Sequence, residues 1–175
     1  SAAAAGLAFR PMTPDDLPAL TALVSDWSVV RNLGTWPWPP DPAYTASRAK
    51  AFAGQGFVRA IIKGGAMIGT VSVTGPDDDP ELGYAILPAH QGQGIATRAA
   101  RAAIAHAFAT RPITRIRADV WADNTASARL LARAGFALTL TETVPSLARG
   151  VPVLSHSFHL TRPAWESLEQ SRISR

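Results

Sequence analysis

Residues His90-Gln91-Gly92-Gln93-Gly94-Ile95-Ala96-Thr97 stand between an apolar run ending at Leu87 and an alanine-rich stretch, and their chemistry is that of an anion seat. A chain that passes from a strand through such a turn into a helix presents unpaired backbone N–H groups at the helix start. Those groups and the helix dipole together hold a phosphate. Gly92 and Gly94 lack the Cβ atoms that would keep a pyrophosphate from the main chain; a glycine-eased turn that binds nothing explains the same pattern. Two phosphate loops are excluded. A P-loop continues glycine-lysine-serine/threonine, whereas Ile95 follows Gly94. A dinucleotide-binding turn needs glycine or alanine where Thr97 stands.

Proton transfer beside such a seat needs a titratable group, and the glutamates are few: Glu81, Glu142, Glu166 and Glu169, the last two near the C-terminus. Glu81 opens the apolar run that leads into the glycine loop. Strand alternation puts it on one face with Gly83 and Ala85, whose small side chains leave room for a ligand. Glu81 is therefore the first candidate base, against the alternative of a surface glutamate beside an acidic turn. Glu142 is the second and His90 the third. Downstream, Asn124 has the position of a helix cap and Ser127 lies in the first turn that follows.

These residues need elements to position them. Thr13, Pro14, Asp15 and Asp16 give the start signals of a first helix, preceded by a strand candidate at "GLAFR". "RNLGTWPWPPDP" is a loop rich in proline and tryptophan, and Asp41-Pro42 opens a second helix expected to end near residues 54–56. "FVRAIIK" and "AMIGTVSVT" form a hairpin about Gly64-Gly65, followed by the turn "GPDDDP" and the strand "ELGYAIL". A helix from Gly94 to about Ala109 ends before Pro112; then come the strand "ITRIRADVW", the helix "NTASARLLARAG", and strands at "FALTLTET" and about 151–160. A short helical tail contains Trp165. The order β-α-α-β-β-β-α-β-α-β-β, mostly antiparallel with one β-α-β crossover, indicates a single α+β domain over residues 1–175, with its core at about 7–160 and a tail at 161–175.

Composition narrows the class. At 175 residues and 47% hydrophobic content, the chain has length for one compact domain. It has no cysteine, which excludes disulfides, thiolate metal sites and a cysteine nucleophile, and fits a reducing, cytoplasmic setting. "SAAAAG" lacks the apolar core of a signal peptide, and no run approaches a bilayer span, so the expectation is a soluble protein. The net charge of +4 comes almost wholly from arginines spread along the chain, which argues against a nucleic-acid surface.

Gln91-Gly92-Gln93-Gly94-Ile95-Ala96 resembles the Q/R-x-x-G-x-G/A signature of the GNAT N-acetyltransferases, and "NTASARLLARAGF" resembles their second motif at the same interval of one helix and one strand. "VVRNLGTWPWP" is similar to the substrate-side loop of the RimJ/RimL-like branch. The resemblance implies a GNAT-like fold, a mostly antiparallel central sheet flanked by helices, with acetyl-CoA seated at a β-loop-α turn and passing its acetyl group directly to a primary amine of a protein N-terminus or a small molecule. It implies that Ile86 and Leu87 pair with the pantetheine arm through their backbone, and that Gln91, Gly92, Gln93, Gly94, Ile95, Ala96 and Thr97 form the pyrophosphate seat. Asn124, Ser127 and Arg133 are cofactor contacts on the same basis. Glu81 falls where many members carry their base.

One departure stands out: Leu131 occupies the place of a tyrosine that protonates the leaving thiolate in many members, and Ser127 is the substitute implied by the RimJ/RimL-like branch. Trp36, Trp38, Tyr84 and Trp121 are candidates for the acceptor side. No metal, membrane or nucleic-acid partner is expected, and the oligomeric state is open between monomer and homodimer. A non-catalytic acyl-CoA-binding sensor is the alternative that the missing tyrosine motivates.

Overall fold

The computed structural model describes residues 6–175; the leading segment 1–5, on which the signal-peptide expectation rests, lies outside the described residues. The chain runs β1 (Leu7–Pro11), a 3-10 turn (Pro14–Asp16), α1 (Leu17–Val24), α2 (Trp27–Val30), α3 (Pro42–Arg48), β2 (Gly56–Lys63), β3 (Ala66–Thr74) and β4 (Glu81–Ile86). After a second 3-10 turn (Pro88–His90) come α4 (Ile95–Thr110), β5 (Arg115–Trp121), α5 (Thr125–Arg133), β6 (Ala137–Pro145), β7 (Pro152–Thr161) and α6 (Arg162–Ile173). All seven strands join in one sheet ordered β1-β2-β3-β4-β5-β7-β6. Every neighbouring pair is antiparallel except β4 and β5, which bracket the α4 crossover.

Alternation along the strands divides the core into two layers. Leu82 and Ile86 of β4, Ile116, Ala118 and Val120 of β5, and Phe158 and Leu160 of β7 pack beneath α4 and α5. On the opposite face Ala60, Met67 and Ala85 meet Leu20, Leu23 and Val24 of α1 and Val29 and Val30 of α2. No helix among the described residues is long and apolar enough to cross a membrane.

The capping signals hold with two adjustments at the N-terminal end. Thr13 and Pro14 begin a 3-10 turn, not the α-helix itself, and the helix proper starts at Leu17. Asp16 receives both guanidinium nitrogens of Arg10 at 2.8 Å and the backbone N–H of Thr13, also at 2.8 Å. Asp41 caps α3 through the N–H groups of Ala43 and Tyr44, as its position predicts, but the helix ends at Arg48, well short of residues 54–56. Ala49 leaves the helical region at ψ 61 and is buried in the layer beneath α1, so packing ends the helix before any glycine does. The sequence also gave no warning of α2, a single turn whose cap is Asp26 accepting from the N–H of Ser28.

The Arg10–Asp16 pair yields a stability prediction. The Arg10 hydrogen bonds hold the Asp16 carboxyl below its usual range although burial opposes them. A depressed carboxyl contributes stability that is present above the unfolded value, about 3.9, and is lost as the pH falls through the folded one. Asp16→Asn should therefore lower the unfolding free energy by about 2 kcal/mol at pH 7. In urea titrations the gap to the unsubstituted protein should close as the pH falls below about 4.

Candidate active site

β4 and β5 pair at a single position, Glu81 opposite Arg117. Beyond it the two strands run on unpaired, and Leu82, Gly83, Tyr84, Ala85 and Ile86 face Ala118, Asp119 and Val120 across a cleft of about 640 Å³. That volume lies within the usual range for small-molecule sites, about 300–1,000 Å³. A split in the sheet leaves backbone N–H and C=O groups along the inner strand edges, ready to pair with an extended ligand.

At the C-terminal end of β4 the chain turns through Pro88–His90 into the glycine loop. Gln91 folds its side chain back and donates through Nε2 to the Ile86 carbonyl at 3.0 Å, which fixes the loop to the strand end. Gly92 and Gly94 both have φ of +73°, and a Cβ built on either meets no protein atom within 4 Å. The glycines are thus required by backbone conformation, and the space a side chain would enter is open. Gly94 holds the N-cap position of α4, and no side chain caps that end, whereas Asp26, Asp41, Asn124 and Thr161 cap α2, α3, α5 and α6. The first-turn N–H groups of the longest helix are therefore left for an anion. Ile95, 1% exposed, anchors this turn in the core. Gln93 turns away from the cleft, where its Oε1 accepts from Lys63 Nζ at 2.9 Å.

α5 supplies the facing wall. Asn124 Oδ1 accepts from the Ser127 N–H at 3.2 Å, so the cap is made, and its amide nitrogen remains for another acceptor. Ser127, Leu130, Leu131, Arg129 and Arg133 line the cleft. The Ser127 hydroxyl is hydrogen-bonded to the hydroxyl of Tyr84. Tyr84, a candidate for the acceptor side, has an even position in β4 that turns it to the α4–α5 face, with Leu82 and Ile86.

Glu81 faces the other way, toward α1 and α2. Its carboxylate accepts from Arg117 Nη2 at 3.2 Å, and Arg117 also binds Asp79 at 3.0 Å and Asp119. Burial pushes the Glu81 carboxyl above the usual carboxylate range, the Arg117 charge opposes this, and Asp119 and Asp79 reinforce it. A carboxylate with a raised proton affinity is a stronger base in its ionised form. Removing the opposing cation carries the effect further: Arg117→Gln should move the acidic limb of a kcat/KM profile to higher pH, and a downward shift would contradict this electrostatic order.

Asp119, which no motif in the sequence marks, lines the cleft beside Glu81. It joins the site only through the Glu81–Arg117 register, which places β5 residues two apart on the Glu81 face. Ser28, Asn32 and Gly34 close this end from α2 and the loop after it. A second cluster fastens that loop. Arg149 places both guanidinium nitrogens on Asp123 at 2.6 and 2.9 Å and donates through Nε to the Arg31 carbonyl, while Arg31 also reaches Asp123 at 3.1 Å.

Of the remaining expected residues, Trp36, Trp38, Trp121, Glu142 and Leu87 lie apart from the cleft lining. Trp36 meets Tyr44 edge-on at 5.1 Å and Trp38 meets Trp27 at 5.2 Å. Trp121 is buried under the Arg149 guanidinium, and Glu142 is exposed on β6 opposite Ser155. Leu87 donates its N–H to the Ile68 carbonyl at 2.8 Å, continuing the β3 pairing just beyond β4. His90 lines the cleft, with a buried Nδ1 that has no hydrogen-bond partner.

Comparison with known proteins agrees with this geometry. The probable N-acetyltransferase YjcK of Bacillus subtilis is 39% identical over 74 residues, a stretch that spans 40% of this chain and 41% of that protein. A ribosomal L7/L12 alpha-N-protein acetyltransferase, RimL, solved in complex with coenzyme A superposes with a TM-score of 0.77 at 20% identity, covering 91% of this chain and 96% of the other. An acetyltransferase from Salmonella typhimurium, described as modifying the N-terminal serine of ribosomal protein L7/L12, gives 0.75 at 19% identity over 90% and 95% of the two chains. The family described as acetyltransferase (GNAT) domain matches residues 7–137, from β1 through both motifs to the start of β6. With the uncapped glycine turn and the split between β4 and β5, that match places the chain in the GNAT acetyltransferase family.

Proposed function

We propose that this acetyltransferase binds acetyl-CoA along the split between β4 and β5 and transfers the acetyl group directly to a primary amine that enters from the α1–α2 face. The observation that carries this reading is the arrangement of the two cleft faces about one opening: the uncapped glycine turn and the Tyr84–Ser127 pair on one side, Glu81 and Asp119 on the other. Acetyl-CoA supplies an activated thioester, and the protein's residues supply position and charge. Main-chain N–H groups at Gly92–Ala96 hold the pyrophosphate. The free edge of β4 pairs with the extended arm, and one of its N–H groups stabilises the charge that develops on the carbonyl oxygen.

Glu81 takes the proton from the amine, directly or through a water. Carboxylates outnumber guanidinium groups in the Glu81, Asp79, Asp119 and Arg117 cluster, which draws a protonated amine to the cleft and favours its binding. The acceptor class is the N-terminus of a protein or a small-molecule amine, as in the RimJ/RimL-like branch, in a cytoplasmic setting that suits a cysteine-free chain.

The test is thiol release from acetyl-CoA against a panel of amines that includes peptides with free N-termini, alongside calorimetry of acetyl-CoA binding. Amine-dependent thiol release with an acetylated product supports the proposal. Binding without turnover on any amine supports the sensor reading, which Leu131, buried in the cleft wall with no proton to give, favours. No binding at all would overturn both.

A further inference from the structure

The transfer reaction also needs a proton for the leaving sulfur, and the cleft wall that lines the donor side has an unassigned acid. We infer that the Tyr84 hydroxyl is the source of that proton and that Ser127 passes it to the sulfur. The inference rests on the proposed acetyl transfer and names a residue on β4, across the cleft from the position held by Leu131.

Three observations carry it. Tyr84 and Ser127 are hydrogen-bonded to each other although they come from elements 43 positions apart in sequence, and both line the cleft. The Ser127 backbone is fixed in the first turn of α5, where its N–H bonds the Asn124 cap, and its hydroxyl is held by Tyr84. Leu131, one turn further along α5, is fully buried and apolar. The pair is therefore a hydroxyl chain that links β4 to the α5 wall.

A phenol ionises near pH 10 and a thiol near 8.5, close enough for a proton to pass; the thiolate is the weaker base, so breaking of the carbon–sulfur bond and reprotonation of the tyrosinate by solvent drive the transfer. A serine hydroxyl alone would have to become an alkoxide, which no group in the cleft stabilises. Burial pushes the Tyr84 phenol above its usual value and the Ser127 hydrogen bond opposes this. The same desolvation disfavours a free thiolate in the cleft, so donor and acceptor move together. Charged or titratable groups on the surrounding elements are Arg129 and Arg133 of α5, Glu81 on the opposite face of β4, Asp119 of β5 and His90 before the glycine loop.

The step balances as follows. The amine nitrogen forms its bond to the acetyl carbon, and the carbon–sulfur bond breaks with its electron pair on sulfur. Sulfur takes the Ser127 hydroxyl proton as Ser127 takes that of Tyr84, and solvent water at the open cleft reprotonates the tyrosinate. The amine's proton leaves on the opposite face through Glu81.

Tyr84→Phe tests this with little structural change, since it deletes one hydroxyl. The variant should bind acetyl-CoA with an unchanged Kd by calorimetry, while its single-turnover rate falls about 100-fold. The solvent deuterium isotope effect of the wild type should disappear, and so should the basic limb of its pH profile, because the acid must be protonated to act. A readout independent of turnover uses the tyrosine content: Tyr44 and Tyr84 are the chain's two tyrosines, so carbon-13 labelling of their hydroxyl-bearing carbons gives two signals. In Ser127→Ala the Tyr84 signal should titrate at higher pH than in the wild type, while that of Tyr44 stays in place.

If Tyr84→Phe retains wild-type turnover and its isotope effect while the wild type acetylates amines, the inference is wrong and the transfer reading stands. If the wild type itself neither binds acetyl-CoA nor releases thiol, the transfer reading fails first.

Discussion

Gly94→Asp should bind acetyl-CoA at least 100-fold more weakly than the wild type by calorimetry, and Gly92→Asp should behave alike. Two effects act in the same direction. Both positions have φ of +73°, a region that costs a residue with a side chain about 1–2 kcal/mol. A carboxylate placed where the pyrophosphate lies removes favourable N–H contacts and adds like-charge repulsion, unscreened at close range. The nearby space is open, so the substituted chains should fold, with any loss of thermal stability confined to the backbone term. Unchanged affinity in both variants would mean that the glycine loop is a turn and no more.

Glu81→Gln should lower kcat/KM by about 100-fold near neutral pH, within the usual range for a general base. Its pH dependence carries the mechanism. A base works only when ionised, so wild-type activity should rise as the pH climbs through the Glu81 value. Burial sets that value above the usual carboxylate range. Below it the wild-type side chain is protonated and resembles glutamine, so the two enzymes should converge in acid and separate towards neutrality. A deficit of constant size across the profile would remove Glu81 as the base and leave it as a partner of Arg117.

Much of the fold was legible because its signals are local. Thr13-Pro14, Asp41-Pro42 and Asn124 mark helix starts by hydrogen bonds within a few residues, and Gly64-Gly65 marks a hairpin whose strands pair along their length with one register shift at Ile61/Ile62. What failed depends on distant partners. The end of α3 at Arg48 is set by burial of Ala49 beneath α1, which no breaker in the sequence announces. The split of β4 from β5 after a single pair is a relation between two strands, and alternation along either strand alone is silent about it.

The site shows the same division. The glycine loop and Asn124 could be read as motifs, since each acts through its own backbone neighbours. Tyr84, named for the acceptor side as an aromatic, packs on the α4–α5 face, opposite the face of Gly83 and Ala85. Alternation from Glu81 contained that information. Asp119 and the Arg149–Asp123–Arg31 clamp required the tertiary structure, with the clamp joining residues 26 and 92 positions apart. Trp36 and Trp38, chosen for their stiff proline-rich loop, pack on Tyr44 and Trp27 and leave the cleft lining to the smaller Ser28, Asn32 and Gly34.

A crystal structure of the acetyl-CoA complex should show the pyrophosphate on the N–H groups of Gly92–Ala96, the extended arm between β4 and β5, the sulfur within hydrogen-bond reach of Ser127, and the acetyl carbonyl open toward Glu81. A complex in which acetyl-CoA lies outside the split, or in which the sulfur points away from the Tyr84–Ser127 pair, would contradict this binding mode.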